Sequence, residues 1–286
     1  MLIYSFHVYQ WPSVLLSDLA KCMRNFIWSG DTTQRKICTV AWKVVCKPRD
    51  EGGLGVKDPS LVNRASLLHL SWKLLTSNDH WAILCRARFL HHGKPKANYF
   101  TSSVWYGLKR YIQKIYDHST WSVGNGKNIF FWIDKWLDRA IFEHWNIPPS
   151  LHDSLDMKVS ECIMEGSWCL PDFLVTRDPD LANSIIKITL PVEDVLDRLN
   201  WHHAIDGVMT SKLAYTFLAG TGNKIPWHKL VWNVYTPPTR SFITWRWIHD
   251  KLPIDDNLRK RGCFVASLCC FCKQRAESSN HIFLSC

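Results

Sequence analysis

The stretch CCFCKQRAESSNHIFLSC, Cys269 to Cys286, organises the reading of this chain. Cys269 and Cys272 form C-x2-C, and eight residues further on His281 and Cys286 form H-x4-C. A zinc ion takes about four thiolate or imidazole ligands in a tetrahedron at about 2.0 to 2.3 Å, so its ligands come as close pairs on turns and helix ends. Two such pairs in C-x2-C-x8-H-x4-C make Cys269, Cys272, His281 and Cys286 the expected metal ligands, and zinc the expected cofactor. The bland alternative is a small core in which cysteines gather by chance. Cys270 is only two residues from Cys272 and is expected to face away, while Cys263 lies too far upstream to be counted.

Outward from that stretch, 286 residues with 47% hydrophobic and 21% charged content suffice for two compact domains. The 35 Lys and Arg against 25 Asp and Glu give a net charge of +10, which favours a polyanionic partner, either nucleic acid or an anionic membrane surface. The N-terminal residues lack a basic leader region and a small-residue cleavage site, and no run approaches the roughly 18 apolar residues of a membrane span. The expectation is a soluble intracellular protein, nuclear or cytoplasmic, with no membrane partner. An odd count of eleven cysteines does not suit a disulfide framework. Cys22, Cys38, Cys46, Cys85, Cys162 and Cys169 are scattered singly and read as core thiols.

Periodicity predicts a helix over 14–28 with Leu15, Leu19, Cys22, Met23, Phe26 and Ile27 inward, stopped by Gly30. The run 38–45 is a strand or a helix start, and GGLGV at 52–56 forces tight turns. Further helices are expected over roughly 60–77, with Leu61, Ala65, Leu68, Trp72 and Leu75 inward, and over about 79–90. WSVGNGKNIFFW, 121–132, reads as a hairpin turning at Gly124, Asn125 and Gly126. Residues 139–195 read as irregular, and helical pattern returns at 211–220 and 241–252. The fold class is therefore mainly α with short β hairpins (α+β) and a small C-terminal zinc-binding domain. The expected divisions are a helical region with a β hairpin over 1–138, a variable connector over 139–200 and the zinc-binding domain over 201–286.

The residues from 232 to 286 follow the order P-P-x3-F-x2-W-R, L-P-x3-N-L-x2-R-G, C-x2-C, E-[ST]-x2-H-x-F and a last Cys. It is met by Pro237, Pro238, Phe242, Trp245, Arg246, Leu252, Pro253, Asn257, Leu258, Arg261, Gly262, Cys269, Cys272, Glu277, Ser278, His281, Phe283 and Cys286. This resembles the reverse transcriptase zinc-binding domain of plant LINE-type, non-LTR retroelement proteins. FIWSG at 26–30, VAWKVVCKPRDEGGLGV at 40–56, Asn63, VGNGKNIFFWIDKW at 123–136 and the stretch from DRLNW at 197–201 through SKLAYTFL at 211–218 look like the segment after the polymerase palm in those elements. The resemblance implies a module that helps to hold template or target nucleic acid during reverse transcription. Family members continue past the last cysteine, where this chain stops. Spacing marks Cys286 as a ligand; its terminal place marks it as a weakened one, as in a truncated product.

Within the same residues, Phe242, Trp245 and Ile248 recur at helical spacing and are expected to pack the tail onto a helix. Glu277, four before His281, either accepts the imidazole's second N–H or is simply solvated. The tail carries Arg240, Arg246, Lys251, Arg259, Lys260, Arg261, Lys273 and Arg275 beside Trp245, Trp247, Phe264 and Phe271, and Arg259, Lys260, Arg261 and Lys273 are the expected contacts for RNA or DNA, against the alternatives of core aromatics and a solvated basic face. No small-molecule substrate is expected, and oligomeric state is not legible. The lone Asp-Asp, Asp255 and Asp256, follows LPI rather than an aromatic-x hairpin and reads as a helix N-cap. Asp134 in FWIDKW reads as a structural hydrogen-bonding acid, and GTGNK at 220–224 lacks phosphate-loop spacing. With neither a palm nor a ribonuclease H domain legible here, the chain reads as non-catalytic. The rival is a structural or interaction protein, or a degenerate element fragment, with a purely structural zinc. A metal-dependent nuclease comes third, because it needs an open metal position.

Overall fold

The computed structural model describes residues 2–97, 100 and 102–286. In chain order the α-helices are α1 Leu2–Val8, α2 Ser13–Ser29, α3 Trp42–Val45, α4 Pro59–Thr76, α5 His80–Phe89, α6 Ser103–Asp117, α7 Ile141–His144, α8 Asp172–Arg177, α9 Pro179–Ile186, α10 Ser211–Ala219, α11 His228–Val231, α12 Pro238–Ile248 and α13 Asp255–Arg259. Strands β1 Leu90–His91, β2 Lys94–Pro95, β3 Ser119–Ser122, β4 Ile163–Met164, β5 Ser167–Trp168 and β6 Arg198–Trp201 pair antiparallel as β1–β2, β3–β6 and β4–β5. The chain is mainly α with short antiparallel pairs. Among the described residues no helix is long and apolar enough to cross a membrane.

Contacts divide the chain into two compact units, Met1–Trp11 with Leu61–Gly220, and Pro12–Ser60 with Thr221–Cys286. In the first unit, buried Asn63 donates to the Phe6 and Tyr9 carbonyls and accepts from the Trp11 amide at 3.2 Å. Helix α4 buries Ala65, Leu68, Trp72 and Leu75 as its period predicts. Leu67, Ser71 and Leu74 are buried too, so a second face is covered; Ser71 Oγ satisfies itself on the Leu67 and Leu108 carbonyls at 2.8 and 3.1 Å. Helix α6 starts where Ser102 Oγ accepts from the Trp105 amide, and it lays Trp105, Leu108, Ile112 and Ile115 into the same core.

The hairpin expected at 121–132 does not form. β3 pairs instead with β6, Ser119 opposite Trp201 and Ser122 opposite Arg198. The glycine-rich stretch is an anion cradle: the Gly124 and Gly126 amides each donate to Asp197 Oδ1 at 2.8 Å, and the Asn128 amide to Oδ2 at 2.8 Å. Three amides on one carboxylate outweigh a two-stranded ladder in this loop. Gly126, at φ +70°, is obligatory, since a Cβ there would stand 2.5 Å from the Ser160 nitrogen.

Residues 139–195 are folded, contrary to the irregular reading. They supply α7, α8, α9 and the β4–β5 pair, and they bury Ile141, Val159, Cys162, Leu174, Ala182 and Ile185 around Phe131, Trp132 and Trp136. Elements of one or two turns are too short to display a period. They are held by caps: Asp178 accepts from the Leu181 amide at 3.0 Å and contacts His144 at 2.8 Å. Of the six scattered cysteines, Cys162 is buried and Cys38, Cys46 and Cys85 half-buried, but Cys22 and Cys169 are exposed and are not core thiols.

The second unit contains α2, whose register differs from the predicted one. Leu16 and Ala20 are its buried residues, whereas Leu15, Leu19 and Phe26 are 51%, 39% and 60% exposed. Apolar residues populate both faces of this helix, so period alone does not select the inward one. Gly30 ends it, at φ +80°. Residues 38–41 are not regular and lead into the single turn α3. The unit's core is Val40, Val45, Val231 and Trp245 with partly buried Trp28, Trp42, Trp232 and Phe242 around them.

Candidate metal centre

Helix α12 begins at Pro238, whose missing N–H costs nothing in a first turn. Trp245, fully buried, donates its Nε1–H to the Gly52 carbonyl at 2.8 Å, and His249 Nε2 meets the same oxygen at 2.9 Å. The GGLG turn that presents this carbonyl requires glycine: a Cβ on Gly53 would lie 1.9 Å from the Lys47 oxygen. Two sequence signals almost two hundred residues apart are thus one packing unit. Phe242 and Trp245 pack on the segment 40–56 rather than on the tail, and Ile248 is 39% exposed. The tail is met by Trp247, whose ring lies 5.1 Å from that of Phe283.

At the end of α12, Asp250 gathers the following turns. It accepts from Asn257 Nδ2 at 3.2 Å, Lys260 Nζ at 3.3 Å and Ser279 Oγ at 3.4 Å; the Asn257 amide, ahead of the other donors, holds its carboxyl below the usual range. Asn257 is buried and also donates to the Leu252 carbonyl. Neither Asp255 nor Asp256 is an N-cap: Ile254 occupies that position, and Asp256 instead pairs with Lys260 at 3.1 Å.

The C-x2-C turn closes on itself. The Lys273 amide donates to the Cys269 carbonyl at 2.9 Å, and the Cys269 amide to the Arg275 carbonyl at 2.8 Å. Ser278 Oγ accepts from the His281 amide at 3.2 Å and starts the wide turn His281–Ser285, which returns the chain at Cys286. The ligand atoms of Cys269, Cys272, His281 and Cys286 all lie within 4.8 Å of one another. Cys269 and Cys286 sulfurs are 3.8 Å apart, and Cys272 Sγ is 3.2 Å from His281 Nε2. A tetrahedron with Zn–S bonds of about 2.3 Å has S···S edges of about 3.8 Å and S···N edges of about 3.6 Å, so the donors already stand near the required spacing. Among the described residues this is the single such group of His, Cys and carboxylate side chains. Cys270 and Cys263 are exposed and outside it.

The electrostatics are those of a dense donor set. The Gln274 amide, then His281 and the Arg275 amide, lower the Cys272 thiol to about 6, whereas desolvation and the neighbouring Cys269 and Cys272 push Cys286 up to about 11. Ligation needs thiolates, and a dication among them removes the mutual repulsion that opposes their ionisation. His281 Nδ1 faces Ser285 Oγ at 3.5 Å, and the Glu277 backbone amide donates to Ser267 Oγ at 2.8 Å. Ser285 was not singled out in the sequence, and Ser278 entered only as a position of the E-[ST]-x2-H pattern; the signal for its role was a hydroxyl three residues before the imidazole, the usual place for a side-chain cap.

These residues lie in a segment, 209–286, that matches the family described as zinc-binding in reverse transcriptase. The match is confined to residues 209–286, the part of the chain that holds the four donors. A candidate ribonuclease H protein of Arabidopsis thaliana is 25% identical over 313 aligned positions, covering 100% of this chain and 48% of that protein. An uncharacterized mitochondrial protein of the same plant is 26% identical over 145 positions, 47% of this chain and 91% of that protein. The chain thus spans about half the length of the first relative. No solved structure matches. The upstream half of the zinc-binding domain contributes α10, capped by Thr210 Oγ1 on the Leu213 amide at 3.2 Å, while the metal cluster and its supports come from α12 onward.

The expected nucleic-acid contacts have separate fates. Arg259 Nε donates to the Val265 carbonyl at 3.0 Å, Arg261 to the Thr39 carbonyl at 3.0 Å, and Lys260 lies between Asp250 and Asp256. Lys273 is exposed in the left-handed region at φ +55°. Phe264 and Phe271, 107% and 71% exposed, stand free of the core, unlike Trp245. Elsewhere, Asp134 is a buried structural acid: it accepts from the Phe130 amide at 2.8 Å, and burial pushes its pKa up to about 7. His203 meets His118 at 3.3 Å and His202 meets Thr120, while the Gly222 amide donates to Glu51 at 3.0 Å.

Proposed function

We propose that Cys269, Cys272, His281 and Cys286 hold one structural zinc ion, and that the zinc-bearing unit is a non-catalytic nucleic-acid-binding part of a retroelement reverse transcriptase-like protein of the LINE, non-LTR type. The observation that carries the reading is the convergence of four donor atoms within 4.8 Å in a domain of the reverse transcriptase zinc-binding family. Bound there, zinc would cross-link the C-x2-C turn to the His281–Cys286 turn. Three thiolates and an imidazole fill a tetrahedral shell, which leaves no position for an activated water and disfavours a hydrolytic role at this site. Exposed Phe264, Phe271 and Lys273 supply π-faces and charge of the kind that single-stranded RNA or DNA uses, with little sequence preference. The ribonuclease H in the relative's name is said of a protein about twice this length.

A second reading, a purely structural or interaction module, is favoured by one observation: Arg259, Lys260 and Arg261 are already engaged within the chain. Anisotropy titration of a labelled single-stranded RNA separates the two. The nucleic-acid reading expects binding that weakens steeply between about 50 and 200 mM salt as counterions are released. No binding, or binding flat across that range, contradicts it and leaves the structural reading.

A further inference from the structure

The net charge is divided unevenly between the two compact units. The unit of residues 12–60 and 221–286 holds 18 Lys and Arg against 9 Asp and Glu, whereas the other holds 17 against 16. Almost all of the excess positive charge therefore belongs to the unit with the metal cluster. Within it, a groove of about 710 Å³ runs between α2 and the extended segment 35–38, lined by Lys21, Arg24, Asn25, Arg35, Lys36, Ile37 and Cys38. None of these is acidic.

The cations are poorly compensated. Lys21 pairs with Asp18 at 2.8 Å, but among the described residues no carboxylate pairs with Arg24, Arg35 or Lys36. The Arg24 Nε is buried without a hydrogen-bond partner among them, and its guanidinium is held over the Trp42 ring at 5.6 Å. The segment continues into Thr39, which takes Arg246 on its hydroxyl at 3.3 Å and Arg261 on its carbonyl at 3.0 Å. Arg246 Nε is likewise buried and unpartnered. Arg246 and Arg261, which share Thr39, are like charges that repel one another unless an anion lies near them.

We infer that this groove seats the phosphodiester backbone of a single-stranded or locally unpaired nucleic acid, with Arg24, Arg35 and Lys36 as its phosphate contacts. The inference rests on the nucleic-acid reading above but places the main contact on α2 and residues 35–38, outside the matched segment 209–286. A concave seat fits a strand, which enters a groove, better than it fits the flat surface of an anionic bilayer. Arg contributes planar two-donor recognition of phosphate and Lys a point charge.

The test uses the full chain loaded with zinc, with anisotropy of a labelled single-stranded RNA read across a salt series. Arg24→Gln/Arg35→Gln/Lys36→Gln is compared with Lys73→Gln/Lys187→Gln/Lys212→Gln, which removes the same charge from exposed positions of the near-neutral unit. The groove variant is expected to lose at least about 10-fold in affinity and about 2 units of the log K against log salt slope, at about 0.7 per phosphate contact. The other variant is expected to stay close to the wild type. Zinc content and thermal melting verify that both variants fold; if the groove triple does not, Lys36→Gln alone is read for a smaller loss of slope. Wild-type binding that the groove substitutions leave unchanged, or that both triples weaken equally, overturns the groove and spares the function. Absence of wild-type RNA binding overturns the function itself, and tighter binding to phosphatidylserine vesicles than to RNA overturns the choice of partner.

Discussion

The two compact units solve the same folding problem with different means. The unit of 61–220 has two apolar clusters, one around Leu68, Trp72, Ile112 and Trp201 and one around Phe131, Trp136 and Ile185. The unit of 12–60 and 221–286 buries only Val40, Val45, Val231 and Trp245 in its cluster and carries an excess of nine positive charges. Like charges oppose compaction, and a small core supplies little to offset them. Small units of this kind are commonly completed by a metal or a disulfide. The donor set at Cys269, Cys272, His281 and Cys286 stands where such a staple is needed. The difference also separates the charge: the larger unit is close to neutral, and the excess of Lys and Arg lies on the unit with the donor set.

The sharpest way to break this comparison is to remove the staple. Structural zinc sites contribute on the order of 10 kcal/mol to small domains, so Cys269→Ser or a chelator is expected to abolish protection of backbone amides in 221–286. Amides in α4 and α6 should keep theirs. Hydrogen exchange reads both at once, and equal loss in both units would contradict independent stabilisation.

The converse substitution is Asp197→Ala. It leaves the amides of Gly124, Gly126 and Asn128 without their acceptor; water can replace it at exposed Asn128, but at buried Gly124 and Gly126 an orphaned donor costs about 1 to 3 kcal/mol. A loss of about 3 kcal/mol in urea unfolding of the larger unit is expected, with zinc content unchanged. A change below about 0.5 kcal/mol would mean that the loop holds itself.

A smaller effect comes from Asp134. Burial raises its folded pKa to about 7 against about 3.9 unfolded, so the native state binds the extra proton between those values. Stability of the larger unit is therefore full below about pH 4, falls as pH rises toward 7, and levels off above. Asp134→Asn keeps an acceptor for the Phe130 amide and is expected to gain about 2 kcal/mol at pH 8 while flattening the slope. An unaltered slope would place the titration elsewhere. The least effect belongs to Trp245→Phe, which removes one of two donors on the Gly52 carbonyl at a cost of about 1 kcal/mol in the basic unit, measured by thermal melting.

What the sequence made legible follows from the range of the interactions. Ligand spacing is local, so C-x2-C and H-x4-C pointed to four residues that the fold brings together. Helices α4, α5, α10 and α12 are long or strongly bounded and were legible for the same reason. The cradle on Asp197 was not, because glycines that free a turn and glycines that expose amides to a distant carboxylate look alike in sequence. Residues 139–195 hid their order in elements too short to show a period. On α2 both faces are apolar, and only packing decides that Leu16 and Ala20 turn inward. The pairing of 35–38 with α2 into a cationic groove, and the engagement of Arg259, Lys260 and Arg261, are likewise tertiary facts.

The most direct test of the account is zinc per chain, by elemental analysis of purified wild type and Cys269→Ser. The account predicts about one zinc in the wild type and none in the variant. A wild-type chain without zinc, or a zinc that survives Cys269→Ser, would contradict it.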